Sequence, residues 1–191
     1  MKLSVVMSVY NDSKTVSKAV ESILNQTFTD FEFIIINDGS TDNTASIIKD
    51  HQRKDKRIVF FNNDNFGLAR SLNLGIKNAK GEYIARQDAD DISLPDRFKY
   101  QIQFLDRNRI IGFVGCNCVI IDTNGSFLNL VQISDNPKKN TSRLKNHNIF
   151  CHGSMMFRKE LLNKISGYRE FFKYAQDYDL YLRLIELSQS S

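Results

Sequence analysis

No stretch of this chain reaches the ~18 consecutive apolar residues of a membrane-spanning helix. The N-terminus, Met1-Lys2-Leu3-Ser4-Val5-Val6-Met7-Ser8-Val9, has a single side-chain charge and too short an apolar run for a signal peptide. These absences point to a cytoplasmic chain. Cysteine is scarce too: Cys116, Cys118 and Cys151 are an odd number without a secretory context, which fits reduced thiols better than a disulfide framework. Cys116 and Cys118, two apart in an apolar run, are expected on one strand face. With Cys151 and His152 they lack the ligand spacing of a structural zinc site. An excess of one charge sign is also missing, because a net charge of +4 dispersed along the sequence does not indicate a nucleic-acid partner.

What is present is the composition of an ordinary globular protein. At 191 residues the chain is most simply one domain, long enough to bury roughly 70% of its unfolded surface. Its apolar periodicity alternates between two kinds. Leu3–Val9 reads as a buried strand, after which Asn11-Asp12-Ser13 offers capping side chains and Val16, Ala19, Val20, Ile23 and Leu24 recur at helical spacing. Phe31–Ile36, Ile58–Phe61 and Tyr83–Arg86 repeat the strand pattern. Helices follow them, carrying Ala45, Ile47 and Ile48, then Leu68, Leu72, Ile76 and Ala79, then Phe98, Ile102 and Leu105 after Pro95. Strands alternating with helices imply an α/β fold with a mostly parallel sheet and helices on both faces.

In such folds ligands bind beyond the carboxyl ends of the strands. Here those ends carry Tyr10-Asn11-Asp12, Asn37-Asp38, Asn62-Asn63-Asp64 and Asp88-Ala89-Asp90-Asp91, while the opposite loops are less acidic. Turns favour Asn and Asp for local reasons, yet the asymmetry points to a binding edge. Clustered carboxylates at a strand end supply the hard oxygen ligands that hold Mg²⁺ or Mn²⁺ against a diphosphate.

The second half reads differently. Phe113–Ile121 is expected as one long strand, Asn124-Gly125 as a hairpin turn and Ser126–Val131 as the returning strand. A basic stretch from Lys138 through Arg143 to Lys145 is a solvated face or meets an anionic acceptor or membrane surface. His152-Gly153-Ser154 precedes the apolar Met155-Met156-Phe157, and a helix from Lys159 stops at Gly167. Gln176-Asp177-Tyr178-Asp179 opens a last helix bearing Leu180, Leu184 and Leu187. On spacing alone, Asp177 reads as either a helix cap or a catalytic group.

Taken in order, Val5-Val6-Met7-Ser8-Val9-Tyr10-Asn11, Asn37-Asp38-Gly39-Ser40-Thr41-Asp42, Asn65-Phe66-Gly67-Leu68-Ala69, Lys80-Gly81-Glu82-Tyr83-Ile84-Ala85-Arg86, Asp88-Ala89-Asp90-Asp91, Pro95-Asp96-Arg97, His152-Gly153-Ser154-Met155-Met156-Phe157-Arg158 and Gln176-Asp177-Tyr178-Asp179-Leu180 resemble the motifs of family 2 glycosyltransferases with the GT-A fold. The resemblance covers nearly the whole chain. It implies a donor-binding half, residues 1–112, and an acceptor-side half, residues 113–191, of one domain. It also implies inverting transfer of a sugar from a nucleotide-diphosphate donor, UDP-sugars favoured, to a hydroxyl of a saccharide or lipid-linked glycan, at the inner face of a membrane or in the cytoplasm.

By position, the resemblance assigns Ser8, Tyr10 and Asp38 to the base and ribose pocket, Asp88 and Ala89 to the ribose side, and Asp90 to a divalent metal, Mn²⁺ or Mg²⁺. Asp177 matches the catalytic base, while His152 and Asp91 stand where acceptor or diphosphate contacts fall. Gln176 replaces the Glu of the family's usual Glu-Asp pair, and Leu72 stands where many members carry Arg before Asn73. Relatives commonly continue past the last motif, so a truncated or minimal catalytic core is expected. A non-catalytic nucleotide-sugar binding module is the alternative. A sugar nucleotidyltransferase would need a Gly-rich phosphate loop after the first strand, and Tyr10-Asn11-Asp12-Ser13 offers none.

Overall fold

The structure, a computed structural model, describes residues 1–189, with side chains through Leu187. The last two residues of the expected acceptor-side half, 190 and 191, lie outside the described residues. Strands β1 (Leu3–Val9), β2 (Phe31–Asp38), β3 (Ile58–Asn63) and β4 (Tyr83–Arg86) alternate with helices α1 (Val16–Leu24), α2 (Thr44–Lys54), α3 (Leu68–Asn78) and α4 (Arg97–Arg107). They form the parallel part of a six-stranded sheet, which continues beyond β4 with two antiparallel neighbours. These are β8 (Met156–Arg158) against β4, and β5 (Phe113–Val114) against β8 at the edge, giving the order β3-β2-β1-β4-β8-β5.

Two cores follow from the period of two along each strand. On β1 and β2, Leu3, Val5, Met7, Val9, Phe31, Phe33 and Ile35 face a first cluster with Val16, Ala19, Val20 and Ile23 of α1, Ile48 of α2, and Phe98, Ile102 and Leu105 of α4. Val6, Ile34, Ile36 and Ile84 face a second cluster with Ala69, Leu72 and Ile76 of α3. That cluster also takes in Leu144 of α5 (Pro137–Leu144), Leu162 of α6 (Lys159–Lys164), and Leu180, Tyr181, Leu184 and Ile185 of α7 (Gln176–Gln189). Because both faces are covered, β1 and β2 are buried throughout and read as continuous apolar runs.

Two expectations are corrected here. Phe113–Ile121 is not one strand: it breaks into β5 and β6 (Cys118–Ile121), and β6 pairs with β7 (Phe127–Val131) in a separate two-stranded hairpin. The break falls at Gly115-Cys116-Asn117. A side chain at Gly115 would meet Met155 Sδ at 2.9 Å, and the Cys116 N–H leaves the ladder to donate to Ser154 Oγ at 3.3 Å. Cys116 therefore lies outside the strand and shares no strand face with Cys118. The capping side chains before α1 also serve elsewhere, because Thr15 holds the cap position without a side-chain bond to the helix.

Among the described residues, no helix is long and apolar enough to cross a membrane. The hairpin β6–β7 stands apart from the cores. Val119, Ile121, Phe127, Leu128 and Leu130 are all exposed on it, and the register shifts between Ile120 and Ile121.

Candidate active site

The loops beyond the carboxyl ends of the parallel strands are joined by side chains that sequence reading assigned to capping. Asn11, in the left-handed region at φ 51°, donates its N–H to Ser40 Oγ at 2.9 Å, and its Oδ1 accepts from the Thr41 N–H at 2.7 Å. The Asp12 N–H donates to Thr44 Oγ1 at 2.8 Å, while the Thr15 hydroxyl bonds Asp12 and also reaches the carbonyl of Ala89 at 3.1 Å. The loops after β1, β2 and β4 are thus one bonded rim. Ser8 is buried beneath it and Tyr10 stands half-exposed upon it. Ala89 turns its methyl into the first core, so it offers a ligand only its backbone.

Asp38 does something its sequence context does not predict. Its Oδ1 accepts from the Phe66 N–H at 2.9 Å and the Ser71 hydroxyl at 2.8 Å, and its Oδ2 accepts from the Gly67 N–H at 3.0 Å. All three donors belong to the chain itself, which makes Asp38 the anchor of the loop that starts α3. Gly67 is needed there because its φ of 89° belongs to the region that side chains disfavour.

The acidic turn after β4 rests on a buried polar frame. Gln87 donates to the carbonyls of Asp88 at 3.0 Å and Asp91 at 2.8 Å, and its Oε1 accepts from Ser93 at 2.8 Å and Arg97 Nη1 at 3.0 Å. Arg97 also donates to the carbonyls of Arg86 and Met155. Arg97, the last residue of the Pro95-Asp96-Arg97 motif, thus frames the acidic turn. Asp88 pairs with Arg86, whose side chain is only 3% exposed and whose Nε and Nη1 have no partner among the described residues. Burial pushes the Asp88 carboxyl up, but Arg86 and His152 outweigh it and hold the group below the usual range. Asp91 is crowded: hydration lost where it packs over Gly153, then Asp88 and Asp90, push it up to about 6 against the smaller opposing pull of Arg86 and Arg97. Asp90 projects into solvent.

The short 3-10 turn His152–Ser154 lies against these carboxylates. A Cβ at Gly153 would run into the Asp91 carboxylate and meet Asp88 Oδ2 at 2.9 Å, so only glycine allows the approach. His152 Nε2 is 2.7 Å from the Tyr168 hydroxyl. Burial, with Arg86 nearby, lowers the imidazole to about 3, so the ring is neutral at pH 7. Burial likewise raises the Tyr168 hydroxyl, and the negative charges of Asp88 and Asp177 push it the same way. Tyr168 therefore stands between the acidic turn and the first turn of α7. There Asp177 Oδ2 accepts from Asn148 Nδ2 at 2.7 Å, and the neighbouring Gln176 Oε1 is buried without a partner among the described residues.

The structure thus brings Asp88, Asp91, His152 and Asp177 to one end of the sheet, with Ser8, Tyr10 and Asp38 at the adjoining rim. Arg86, Gln87, Tyr168 and Asn148 were not singled out from sequence. Arg86 alone had a readable signal, a cation closing the apolar strand Tyr83-Ile84-Ala85, where burial requires a paired charge. A cavity of about 940 Å³ lies elsewhere, beyond the edge strand β5 and lined by Phe104, Ile111, Phe113, Ile133 and Leu161. A large apolar pocket is the usual first choice for a site. This one has Cys116, Asp135 and Glu160 in its wall but shares no residue with the Asp88–Asp91 turn, His152 or Asp177, where the carboxylates converge, so the polar rim is the better candidate.

The donor set suits a hard divalent cation. Carboxylate oxygens are what Mg²⁺ and Mn²⁺ take, and at Asp91 the neighbouring Asp88 and Asp90 outweigh the pull of Arg86 and Arg97. Among the described residues no three His, Cys, Asp or Glu side chains enclose a metal position. That fits a cation held by one or two carboxylates and completed by substrate phosphates. Burial raises the Cys116 thiol, and burial with a hydrogen bond donated to Cys118 pushes Cys151 up to about 12, so both are protonated.

A mostly parallel sheet with its polar rim at the strand ends and an acidic turn at β4 defines a GT-A type nucleotide-sugar fold. Residues 4–166 match the family model for glycosyl transferase family 2, and the chain belongs to that family. It is 39% identical over 188 residues to the uncharacterized glycosyltransferase MJ1057 of Methanocaldococcus jannaschii, covering 96% of this chain and 64% of the relative. It is 35% identical over 184 residues to the O-antigen biosynthesis glycosyltransferase WbnJ of Escherichia coli, covering 96% and 71%. The chain thus spans about two thirds of these curated relatives' length. Among solved structures, S. aureus TarS 1–349 in complex with UDP superposes with a TM-score of 0.72 at 22% identity, over 96% of this chain and 55% of that one. The mannosyltransferase PcManGT of Pyrobaculum calidifontis, in complex with GDP-Man and Mn²⁺, superposes with 0.77 at 18%, over 98% and 52%.

Proposed function

We propose that this chain is the catalytic core of an inverting glycosyltransferase that moves a sugar from a nucleotide-diphosphate donor to a hydroxyl of a saccharide or lipid-linked glycan, in cell-surface polysaccharide synthesis. The observation that carries the reading is the meeting of the Asp88–Asp91 turn with Asp177 across the His152–Tyr168 pair. Residues 1–112 form the donor half, with Ser8, Tyr10 and Asp38 bordering the base and ribose and Asp88 and the Ala89 backbone on the ribose side. Residues 113–191 form the acceptor half. TarS is known with UDP and PcManGT with GDP-Man, and a UDP-sugar is the donor we favour here.

Asp90, with Asp88 or Asp91 beside it, would hold the divalent cation. When bound, that ion supplies Lewis-acid neutralisation of the charge that builds on the departing diphosphate. Asp177 accepts the proton of the acceptor hydroxyl as it attacks the anomeric carbon from the face opposite the leaving group. General-base assistance of this kind contributes ~10²–10⁴ in rate. Asn148 orients the carboxylate through its bond to Oδ2. A single displacement needs no second nucleophile, and neutral His152, bonded to Tyr168, serves as a wall of the acceptor or diphosphate site.

The exposed hairpin β6–β7 and, beyond Asp135, the segment 138–145 with Lys138, Lys139, Arg143 and Lys145 and no acid support work at the cytoplasmic face of an anionic membrane.

Thermal unfolding with nucleoside diphosphates and their sugars, each with and without Mn²⁺, tests the reading, since a ligand that binds the folded state raises its melting temperature. Metal-dependent stabilisation by one base is expected. Asp90→Asn should weaken it, while Asp177→Asn should keep it and lose transfer. Binding lost equally in both variants would end this division of roles.

A further inference from the structure

We infer that the loop from Glu170 to Ala175 is an acceptor subsite, on which the rings of Phe171 and Tyr174 stack against the C–H face of a saccharide. The inference rests on the reading of Asp177 as the base. Phe171 is 74% exposed and Tyr174 86% exposed, more than any other aromatic side chain among the described residues. Neither fills a core, so packing does not explain two large rings in one six-residue loop.

The backbone that carries these rings is tied down at both ends. At its start the Tyr168 N–H donates to Asn73 Oδ1 at 2.8 Å, and Asn73 Nδ2 donates back to the Tyr168 carbonyl at 2.8 Å and to Glu170 Oε1 at 3.2 Å. Across its base, Arg169 pairs with Asp179 at 3.1 Å. Asp179 also pairs with Arg183 at 2.8 Å, and Arg183 donates to the carbonyls of Ile165 and Gly167. The Phe172 N–H closes a turn onto the Arg169 carbonyl at 3.3 Å, and the half-buried Phe172 ring braces Phe171 with centroids 4.6 Å apart. Ala175, in the left-handed region at φ 56°, then turns the chain into α7. A loop anchored this way, with Phe171 braced by Phe172, loses less freedom when a partner stacks on it than a free segment would.

Position decides which partner. Tyr174 precedes Asp177 by three residues, so their Cα atoms lie at most about 10 Å apart. A saccharide with a hydroxyl at Asp177 therefore brings its adjoining ring within reach of Tyr174, and Phe171 lies one short step further along the loop. The negative face of an aromatic ring attracts the positively polarised C–H groups of a sugar ring, while hydroxyls at the sugar's rim stay in water. A polar partner with one apolar face suits exposed rings beside a proton acceptor.

The chain contains no tryptophan, so Tyr174→Trp creates a single fluorescent reporter at the subsite. The probes are neutral trisaccharides of glucose, galactose and N-acetylglucosamine, titrated with and without UDP and Mn²⁺. A saturable blue shift with at least one of them is expected. Phe171→Ala in the same background should weaken the response about 3- to 10-fold. In transfer assays Tyr174→Ala should raise the acceptor KM by a similar factor, leave the donor KM unchanged, and be rescued by Tyr174→Phe. A flat titration, or an acceptor KM unmoved by Tyr174→Ala, overturns the subsite. Saccharide binding in a protein that binds no nucleotide would keep the subsite and remove the transferase reading, whereas nucleotide binding with no saccharide response does the reverse.

Discussion

Asp38→Asn separates two roles that one carboxylate could have. If Asp38 chiefly contacts the donor base, the change should lower nucleotide affinity and leave the fold intact. The structure instead has Oδ1 receiving the Phe66 N–H and the Ser71 hydroxyl while Oδ2 receives the Gly67 N–H, in a side chain only 4% exposed. An asparagine offers one oxygen and one NH₂ group, so whichever way the amide turns, at least one of these donors meets another donor. Bonds to a buried charged group contribute about 1.5–3 kcal/mol, and an unpaired buried donor costs about 1–3 kcal/mol. Allowing for relaxation of the loop, the expected destabilisation is about 2–4 kcal/mol, a large part of the roughly 5–15 kcal/mol of a typical domain. At about 2–4 °C per kcal/mol for a domain of this size, the melting temperature should fall by about 4–16 °C. Circular dichroism melts of wild type and Asp38→Asn without nucleotide decide the matter, with Ser71→Ala as a smaller step in the same direction. A melting temperature within about 2 °C of wild type would refute the anchoring argument and return Asp38 to the base pocket alone.

The pH dependence of stability offers a check on the acidic turn. The Asp91 carboxyl stands at about 6 in the folded protein against an ordinary 3.8, so its stabilising contribution is present below about pH 4 and is lost as the pH rises to 6. His152, lowered to about 3 from 6.5, acts oppositely and loses its contribution as the pH falls through that range. Comparing wild type with Asp91→Asn isolates the first effect: without metal the variant should melt higher at pH 7, with the gap closing near pH 4, and a gap independent of pH would remove the crowding account. For the membrane face, sedimentation with phosphatidylglycerol vesicles should recover the protein and phosphatidylcholine vesicles should not. The pair Lys138→Ala and Lys139→Ala should weaken binding about 30-fold, at about 1 kcal/mol per lysine, and Leu128→Asp should weaken it further. Equal recovery with both lipids, or with neither, would remove the membrane role.

Residues 1–112 were legible because their physics is local and repetitive. Buried parallel strands have to be apolar on both faces, so β1, β2 and β4 stand out as runs, and the helices between them carry their buried residues at regular spacing. The elements of the fold were found to within a few residues at these positions. The stretch from residue 113 on resisted for the opposite reason. β5 and β8 are two and three residues long, too short for a period to establish itself, and both depend on partners distant in sequence. The break at Gly115-Cys116-Asn117 arises from contacts with Met155 and Ser154, some 40 residues on, which no local pattern encodes.

At the candidate site the division runs between types of residue and their tasks. That Asp38, Asp88, Asp91 and Asp177 belong near the strand ends or the start of α7 could be read from position. What each carboxylate is bonded to could not, because its partners are backbone N–H groups and side chains from other loops. Four carboxylates that look alike in sequence are made unlike by those partners. Asp38 is filled by three internal donors, Asp88 is paired with Arg86, Asp91 is crowded by Asp88 and Asp90, and Asp177 accepts one hydrogen bond from the Asn148 side-chain amide. A carboxylate already satisfied within the chain stabilises a loop. One that carries unbalanced charge, or keeps free lone pairs beside a cleft, is available to a cation or a proton. On that criterion Asp91 and Asp177 are the carboxylates whose lone pairs stay open, and Asp38 is the one whose lone pairs the chain already fills.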